Sequence, residues 1–542
     1  MDSISRKPNL SRKAMQDVQS AEKQAVKQPA SKRHVPPHQL HQAQPEEEQE
    51  ELKPRKAWRI IKYVLGIGFA IAALVLVVLF VRWARDTADT YVEDAHVAFE
   101  QQLYSEALEK YQYAAALQAF NSKAASEAFA GVGDILLLKN QSEEAERYYM
   151  YATEEDPSNG NFRYNYARIL FDNGKSHEAA TQLGEIDDKN SEALILAGRV
   201  AMRQGDFDRA YDYFADAKED ETGEAIYYQG LVAAAREDDD AARTLREAVD
   251  NADDTNFGNK AERFLKTYED MRSNSKSLTA FQFAKLASLY LENGEPDLAL
   301  WMADEALELE TPYRDASAIR AASYFERKEY DYAEKTVLET LEISPLKPNL
   351  NYLAGQVLFQ QGRLEEAREY FERAEELGMK TAEFYTNYAD LYQDLGEDEQ
   401  ELDYVKKARK TNVDGYSVNN RLLWEYIERD DLDGIKRQAE YLAENFDTDS
   451  FSHAARAYAK LLMRKSETDI QENLEEAEKH SGNQAMTFYV QALLEENDDA
   501  GEARELLIMA IDHDISGNVA KIAKEKLDEM RDETIKSPID ID

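Results

Sequence analysis

The sequence predicts an all-α protein: a right-handed superhelical solenoid of stacked helix-turn-helix repeats, preceded by one transmembrane helix and a disordered N-terminal tail. Three observations predict it. Residues 63–81 (YVLGIGFAIAALVLVVLFV) run without a charge. Small residues return at a spacing of 34, as in Ala299, Ala333 and Ala367. Gly (22) and Pro (12) are scarce in 542 residues while Tyr is abundant (31), which suits long helices with bulky residues filling each layer rather than many turns.

The tail, 1–56, is rich in Gln, Lys, Pro and Glu and poor in large apolar residues. It cannot bury enough surface to offset chain entropy and is expected to be disordered. His34, His38 and His41 lie there, but Pro36 and Pro37 interrupt them and no acidic or Cys ligand completes a metal set.

The region 57–85 holds the apolar run with its flanks. Nineteen helical residues span about 29 Å, close to the hydrocarbon thickness of a bilayer. A soluble core helix normally keeps a polar stripe, and this stretch has none. A cleaved signal peptide is excluded by the length of the run, the 62 residues before it and the lack of an Ala-x-Ala site after it. Trp58 and Trp83 stand at the two ends, where amphipathic rings prefer the interface. Gly66 and Ala70 form a small-x-x-x-small pair of the kind that supports helix dimers, a pattern also common by chance. Lys53, Arg55, Lys56, Arg59 and Lys62 precede the run, and only Arg82 and Arg85 follow it. This bias places the N-terminus in the cytoplasm and the repeat array outside it; the reverse topology stays open.

From residue 86 onward the chain reads as paired amphipathic helices. Gly133 and Ala167 are 34 apart, as are Ala145 and Ala179, while Ala287, Ala321, Gly355 and Ala389 run twelve residues ahead of the Ala299 series. Twelve residues between small positions describe a helix, a short turn and a helix crossing closely enough to exclude larger side chains. The clearest unit, NYLAGQVLFQQGRLEEAREYFERA, carries Gly355, Leu358, Gly362, Leu364, Ala367, Phe371 and Ala374. Similar sets are Ala321, Tyr324, Tyr330, Ala333 and Pro345; Phe129, Gly133, Ala145, Tyr149, Ala152 and Pro157; and Leu194, Gly198, Gly205, Phe207, Ala210, Phe214 and Ala217. The first set follows the apolar run directly with Tyr91, Ala95, Tyr104, Ala107, Tyr111 and Ala114. At these positions the chain resembles the tetratricopeptide repeat family over about 90–410.

The array is expected in two blocks, 86–249 and 278–410, separated by a linker or irregular boundary at 250–277. The spacing slips to 31 between Ala179 and Ala210, and the DNADDTNFG and RSNSKS stretches interrupt the pattern. In 411–542 the helical period persists (AARAYAKLLM, AMTFYVQALLEE, AGEARELLIMAI) but the small positions blur, and Glu401 already stands where a small residue belongs. Degenerate repeats and a solvating cap are expected there.

No catalytic constellation emerges. The chain has no Gly-rich phosphate loop, Gly-x-Ser-x-Gly elbow or His-Glu-x-x-His helix. Without cysteine it has no thiol nucleophile, thiolate metal site or disulfide. His96, His177, His453, His480 and His513 are far apart in sequence, and Asp512–Gly517 begins like an EF-hand but has Ala523 where the bidentate Glu belongs. The expectation is a non-enzyme without cofactor, metal or small-molecule substrate; a cryptic catalytic unit in 411–542 is the remaining alternative.

Charge is divided unevenly. Residues 1–85 hold 15 Lys+Arg against 8 Asp+Glu, leaving 50 against 99 for the rest. An array this acidic repels nucleic acid and attracts basic segments, although solubility alone also accounts for such a charge. Resemblance to the family implies a concave groove, lined by the first helix of each pair, that holds partner peptides or helices. By position it implies Tyr164, Arg168, Phe171, Phe325, Tyr352, Gln356, Phe359, Asp390 and Asp394 in that groove. Each aromatic among them has packing on the neighbouring repeat as its alternative. Aromatics with amides and carboxylates suit a peptide bearing Lys or Arg, and the family's basic carboxylate clamp is missing. The sequence thus reads as a membrane-tethered scaffold, with a cytoplasm-facing adaptor in assembly or quality control as the alternative.

Overall fold

The computed structural model describes residues 54–217, 220, 222–251, 256–272, 279–480 and 482–536. The expected disordered tail, with His34, His38 and His41, lies outside the described residues up to residue 53, and 54–56 open the first helix. By contacts the chain divides into a unit of residues 1–74 and a second of 75–542.

Among the described residues the chain is helical throughout, without strands. Helix α1 is Pro54–Glu100, 47 residues long. Its apolar stretch is exposed on every side, and it is long and apolar enough to cross a membrane. The expected anchor ends at residue 85, yet the helix continues. From Ala84 it changes character: Ala84, Ala88, Val92 and Ala95 are buried at a helical period, and the last three share a core with Tyr104, Ala107 and Tyr111 of α2 (Tyr104–Ala116). The same helix thus supplies the first half of the first hairpin.

Hairpins follow in order: α3 (Ser122–Leu138) with α4 (Ser142–Glu155), α5 (Gly160–Asp172) with α6 (Ser176–Gly184), α7 (Ser191–Arg203) with α8 (Phe207–Asp216), and α9 (Glu224–Ala235) with α10 (Ala241–Asn251). After the single helix α11 (Asn256–Arg272) come α12 (Ala280–Glu292) with α13 (Pro296–Leu309), α14 (Arg314–Glu326) with α15 (Tyr330–Ile343), α16 (Pro348–Gln360) with α17 (Leu364–Glu376), and α18 (Ala382–Leu395) with α19 (Asp398–Thr411). Beyond 410 the alternation continues through α20 (Tyr416–Glu428), α21 (Leu432–Asn445), α22 (Ser450–Leu462), α23 (Glu467–Glu478), α24 (Ala485–Glu495) and α25 (Ala500–His513), closing on α26 (Asn518–Lys536).

The small positions work as a socket for one aromatic of the second helix. A Cβ on Gly133 would lie 2.6 Å from the Tyr149 ring, and one on Gly198 would lie 2.5 Å from that of Phe214. Removing the side chain at one position thus admits a ring, and each ring is almost wholly buried.

The expected boundary at 250–277 contains α11, whose Phe264, Leu265, Tyr268 and Met271 join one core with Leu245, Leu286 and Tyr290. It is an unpaired helix inserted into the alternation, not a linker between cores. Its apolar positions follow a helical period, but flanking Asn, Asp and Ser mask them.

Turn geometry preserves the period where composition loses it. The residue that ends the first helix of each pair adopts left-handed backbone at Gly294, Lys328, Gly362, Gly396, Asp430 and Arg464, each 34 residues after the last, with φ from 51° to 80°. A residue in this conformation reverses the chain and lets its N–H close the helix end. The stretch beyond 410 therefore remains in phase even with Asp and Arg at the turn.

Within 75–542 the array returns on itself. Helix α25 packs against α2, where the Asp512 carboxylate meets the Ser105 hydroxyl. Asp514, in the EF-hand-like segment, accepts from the Ser516 hydroxyl at 2.7 Å and the Ala520 N–H at 2.8 Å, so it serves an inter-helix turn.

Candidate functional site

The nine groove residues expected from the sequence fall into separate assemblies. Tyr164, Arg168 and Phe171 lie on α5, and Phe171 is buried rather than open. The Arg203 and Arg199 guanidiniums stand 4.8 and 5.3 Å from its ring, an arrangement favoured by the negative face of the π system. Arg203 is held in turn by Asp297 at 2.7 Å, and Arg327 reaches the same carboxylate at 3.1 Å. Arg327 also donates to the Arg203 carbonyl at 3.1 Å, and Lys328 donates to the Asp172 carbonyl at 2.8 Å. Phe207 stacks on Trp301 at 4.0 Å. The chain's own 297–328 therefore covers part of the face built by α5 and α7, and the cover on Phe171 comes from within. Tyr164 is half-buried, and burial pushes its phenol up while Arg168 pulls it down. Arg168 is exposed.

Asp297 illustrates which electrostatic effect wins. Two arginines and the N-terminus of α13 favour its charged form, yet its pKa is raised because burial outweighs them. Two residues earlier, burial pushes the Glu295 carboxyl up to about 8, against the pull of Arg199 and Lys260.

Phe325 is half-buried and packs on Tyr330 at 5.9 Å, a contact between helices of its own hairpin. Tyr352 is buried, accepts from the Asn387 amide at 2.6 Å and donates to Glu383 at 3.1 Å. Phe359 packs on the same core as Tyr352, and Gln356 is half-buried between them on α16. Asp394 is exposed on α18. Asp390 is paired with Arg421.

Arg421 opens the second assembly, which the sequence reading did not anticipate. It links Asp390 of α18 to Glu401 of α19 at 3.2 Å, with Glu425 one turn along α20 at 4.0 Å. Glu425 also pairs with Arg429, whose other nitrogen donates to the Asp398 carbonyl at 2.7 Å. Burial pushes the Glu425 carboxyl up to about 7, helped by a hydrogen bond and like charge from Glu401 and opposed by Arg429 and Arg421. The misfit at Glu401 was the signal for this network. A carboxylate replaces the small residue because a half-buried arginine from the next repeat meets it. Beside the network is an open cleft of about 420 Å³, lined by Glu401, Tyr416, Asn420, Trp424, Glu428 and Asn518. Arg421 and Glu425 line it as well. Glu401 is paired with Arg421, and Glu428 accepts from Lys521 at 2.9 Å, so a partner's ammonium or guanidinium group entering beside the two aromatic rings competes with the chain's own cations for these carboxylates.

Histidines distant in sequence also meet. His453 and His480 stack with centroids 5.5 Å apart, and His453 Nε2 lies 2.8 Å from the Asp447 carbonyl oxygen. Among the described residues no group of three or more His, Cys, Asp or Glu has metal-binding geometry.

Models of the tetratricopeptide repeat match residues 348–379 and, separately, 133–193 and 284–348. The chain carries such repeats. Tetratricopeptide repeat protein 21A of Mus musculus is 29% identical over 154 residues, which is 28% of this chain; the chain spans only 12% of that protein's length. Among solved structures, YrrB, a TPR protein with an unusual peptide-binding site, is 24% identical, with 32% of this chain and 90% of that chain covered and a TM-score of 0.28. Yeast Tom70 is 15% identical, with 82% and 96% covered and a TM-score of 0.27. The Cut9–Hcn1 hetero-tetramer of the APC/C matches at 13% identity, with 79% and 95% covered and a TM-score of 0.32.

Proposed function

We propose that this repeat chain is a membrane-tethered scaffold that captures a Lys- or Arg-bearing segment of a partner protein and supports assembly of a membrane-associated or envelope complex. The observation that carries the reading is the cleft on α19, α20 and α26, where Glu401 and Glu428 flank Trp424 and Tyr416. A partner's cation that displaces Lys521 from the exposed Glu428 gains there from both charge and ring faces, and the net charge of −42 steers it in. Helix α1 supplies the tether, and the five-to-two charge bias around its apolar run favours an array outside the cytoplasm.

The test is binding of a peptide array to the full chain in detergent, compared with a Glu428→Lys variant. Lys- and Arg-containing peptides are expected to be enriched, with roughly tenfold weaker binding to the variant, equivalent to about 1.4 kcal/mol. Equal binding by the variant, or equal loss in a Glu339→Lys control, overturns the assignment of the cleft. Protease access in intact against permeabilised cells decides the side of the membrane.

A further inference from the structure

We infer that the turn joining α2 to α3, residues 117–121, is a lipid-contacting element seated at the boundary between headgroups and acyl chains. The inference rests on the membrane tether proposed above and concerns contacts within 75–542. The apolar run ends at Val81, and Phe80 there meets Phe120 edge-to-face at 5.5 Å. Trp83 packs beside Phe80 at 5.8 Å and is itself exposed. Three aromatic rings, two from the end of the span and one from the array, therefore stand at one level.

The turn is fastened at that level. Asn121, a buried residue, donates to the Asp89 carboxylate at 2.7 Å and to the Arg85 carbonyl at 3.3 Å. The same side chain accepts from the Ala124 N–H at 3.2 Å, which caps α3. One asparagine thus ties the start of α3 to the helix that leaves the span. Both tie points lie within about two helical turns of Val81. If the span is in the bilayer, the turn is held against its surface.

The chemistry of the turn fits that place. Residues 117–120 are Leu-Gln-Ala-Phe, an uncharged run in a chain with 107 acidic residues. Gln118 and Ala119 are exposed and Leu117 and Phe120 half-buried, so the turn presents an uncharged outward surface that is apolar at all but the Gln118 amide. An aromatic ring with an exposed edge beside a Trp at the end of a span matches the interfacial preference of such rings. Because the contact is apolar, it does not depend on anionic lipid, and salt leaves it unchanged.

The absence of cysteine allows a direct test with the full chain. Single Ala119→Cys, Val78→Cys and Tyr332→Cys variants, each labelled with an environment-sensitive fluorophore, are reconstituted in phosphatidylcholine vesicles. Doxyl-labelled lipids then serve as quenchers at low and high salt. The Val78 label reports insertion of the span, and the Tyr332 label reports an exposed array position away from the turn. The expected result is strong quenching at Val78, clear quenching at Ala119 by shallow-labelled lipid at both salt concentrations, and none at Tyr332. Quenching at Val78 with an Ala119 label that behaves like Tyr332 overturns the seated turn while leaving the tether intact. An unquenched Val78 label overturns both.

Discussion

Replacing Gly198 by Ala isolates the socket geometry that spaces the repeats. The added Cβ would meet three carbons of the Phe214 ring at 2.5, 2.6 and 2.8 Å. Carbon atoms rest at about 3.5–4.0 Å, so the ring must retreat by about 1 Å. Phe214 is 2% exposed and has no solvent side to retreat to. Overpacking of this kind costs about 1–3 kcal/mol. Against it, Ala in place of Gly in a helix interior gains about 1 kcal/mol. The net expectation is a loss of up to ~2 kcal/mol. Gly355→Ala is the internal control: its Cβ would lie 3.2 Å from Phe371 and 3.3 Å from the Ala367 carbonyl, which asks for only a few tenths of an ångström. That variant is expected to lie between neutral and ~1 kcal/mol more stable. Urea unfolding of the full chain in detergent, followed by circular dichroism, measures both. The double variant Gly198→Ala with Phe214→Leu separates clash from propensity, because the smaller side chain relieves only the clash. A Gly198→Ala chain as stable as the parent, with no coupling to Phe214→Leu, refutes the socket argument.

Asp297→Ala leaves Arg203 and Arg327 facing each other with 14% and 13% side-chain exposure, and breaking such a pair costs about 3–5 kcal/mol. Release of 297–328 from α7 and α8 should shift Trp301 fluorescence to the red in a variant lacking the other tryptophans; an unchanged spectrum contradicts the docking of 297–328 through Asp297. The raised Glu425 pKa favours its protonated form in the fold, so its contribution is full below the ordinary value of 4.5 and is lost as pH rises to about 7. That interval corresponds to about 3 kcal/mol at most. Unfolding measured at pH 5 and 8 should therefore show a smaller loss in Glu425→Gln than in the parent, and an equal loss counts against the network. Arg464→Gly removes a side chain from left-handed backbone at φ 53° and should stabilise the chain by about 0.5–1 kcal/mol in the same unfolding assay.

The repeat period made most of the fold legible, because a spacing of 34 with small residues at fixed offsets permits only a stacked helix pair. Ala333, Ala367, Gly198 and Gly355 could be placed in close helix crossings from the sequence alone. The uncharged run at 63–81 likewise fixed a helix able to cross a membrane. Composition misled where polar residues flank a buried face, as at α11, and it fell silent beyond 410, where backbone conformation at Asp430 and Arg464 keeps the phase. The candidate site was less legible. Positions on the first helices could be named, but not what covers them. Contacts such as Arg203 with Asp297 and Lys328 with Asp172 join residues 94 and 156 apart, and they depend on how small rotations between repeats accumulate along the array. No local pattern encodes that sum. Sequence by itself determined the repeating unit, its helices and its acidic character. Only the tertiary structure decided that Phe171 is covered from within, that Glu401 answers Arg421, and that an open cleft remains beside Trp424.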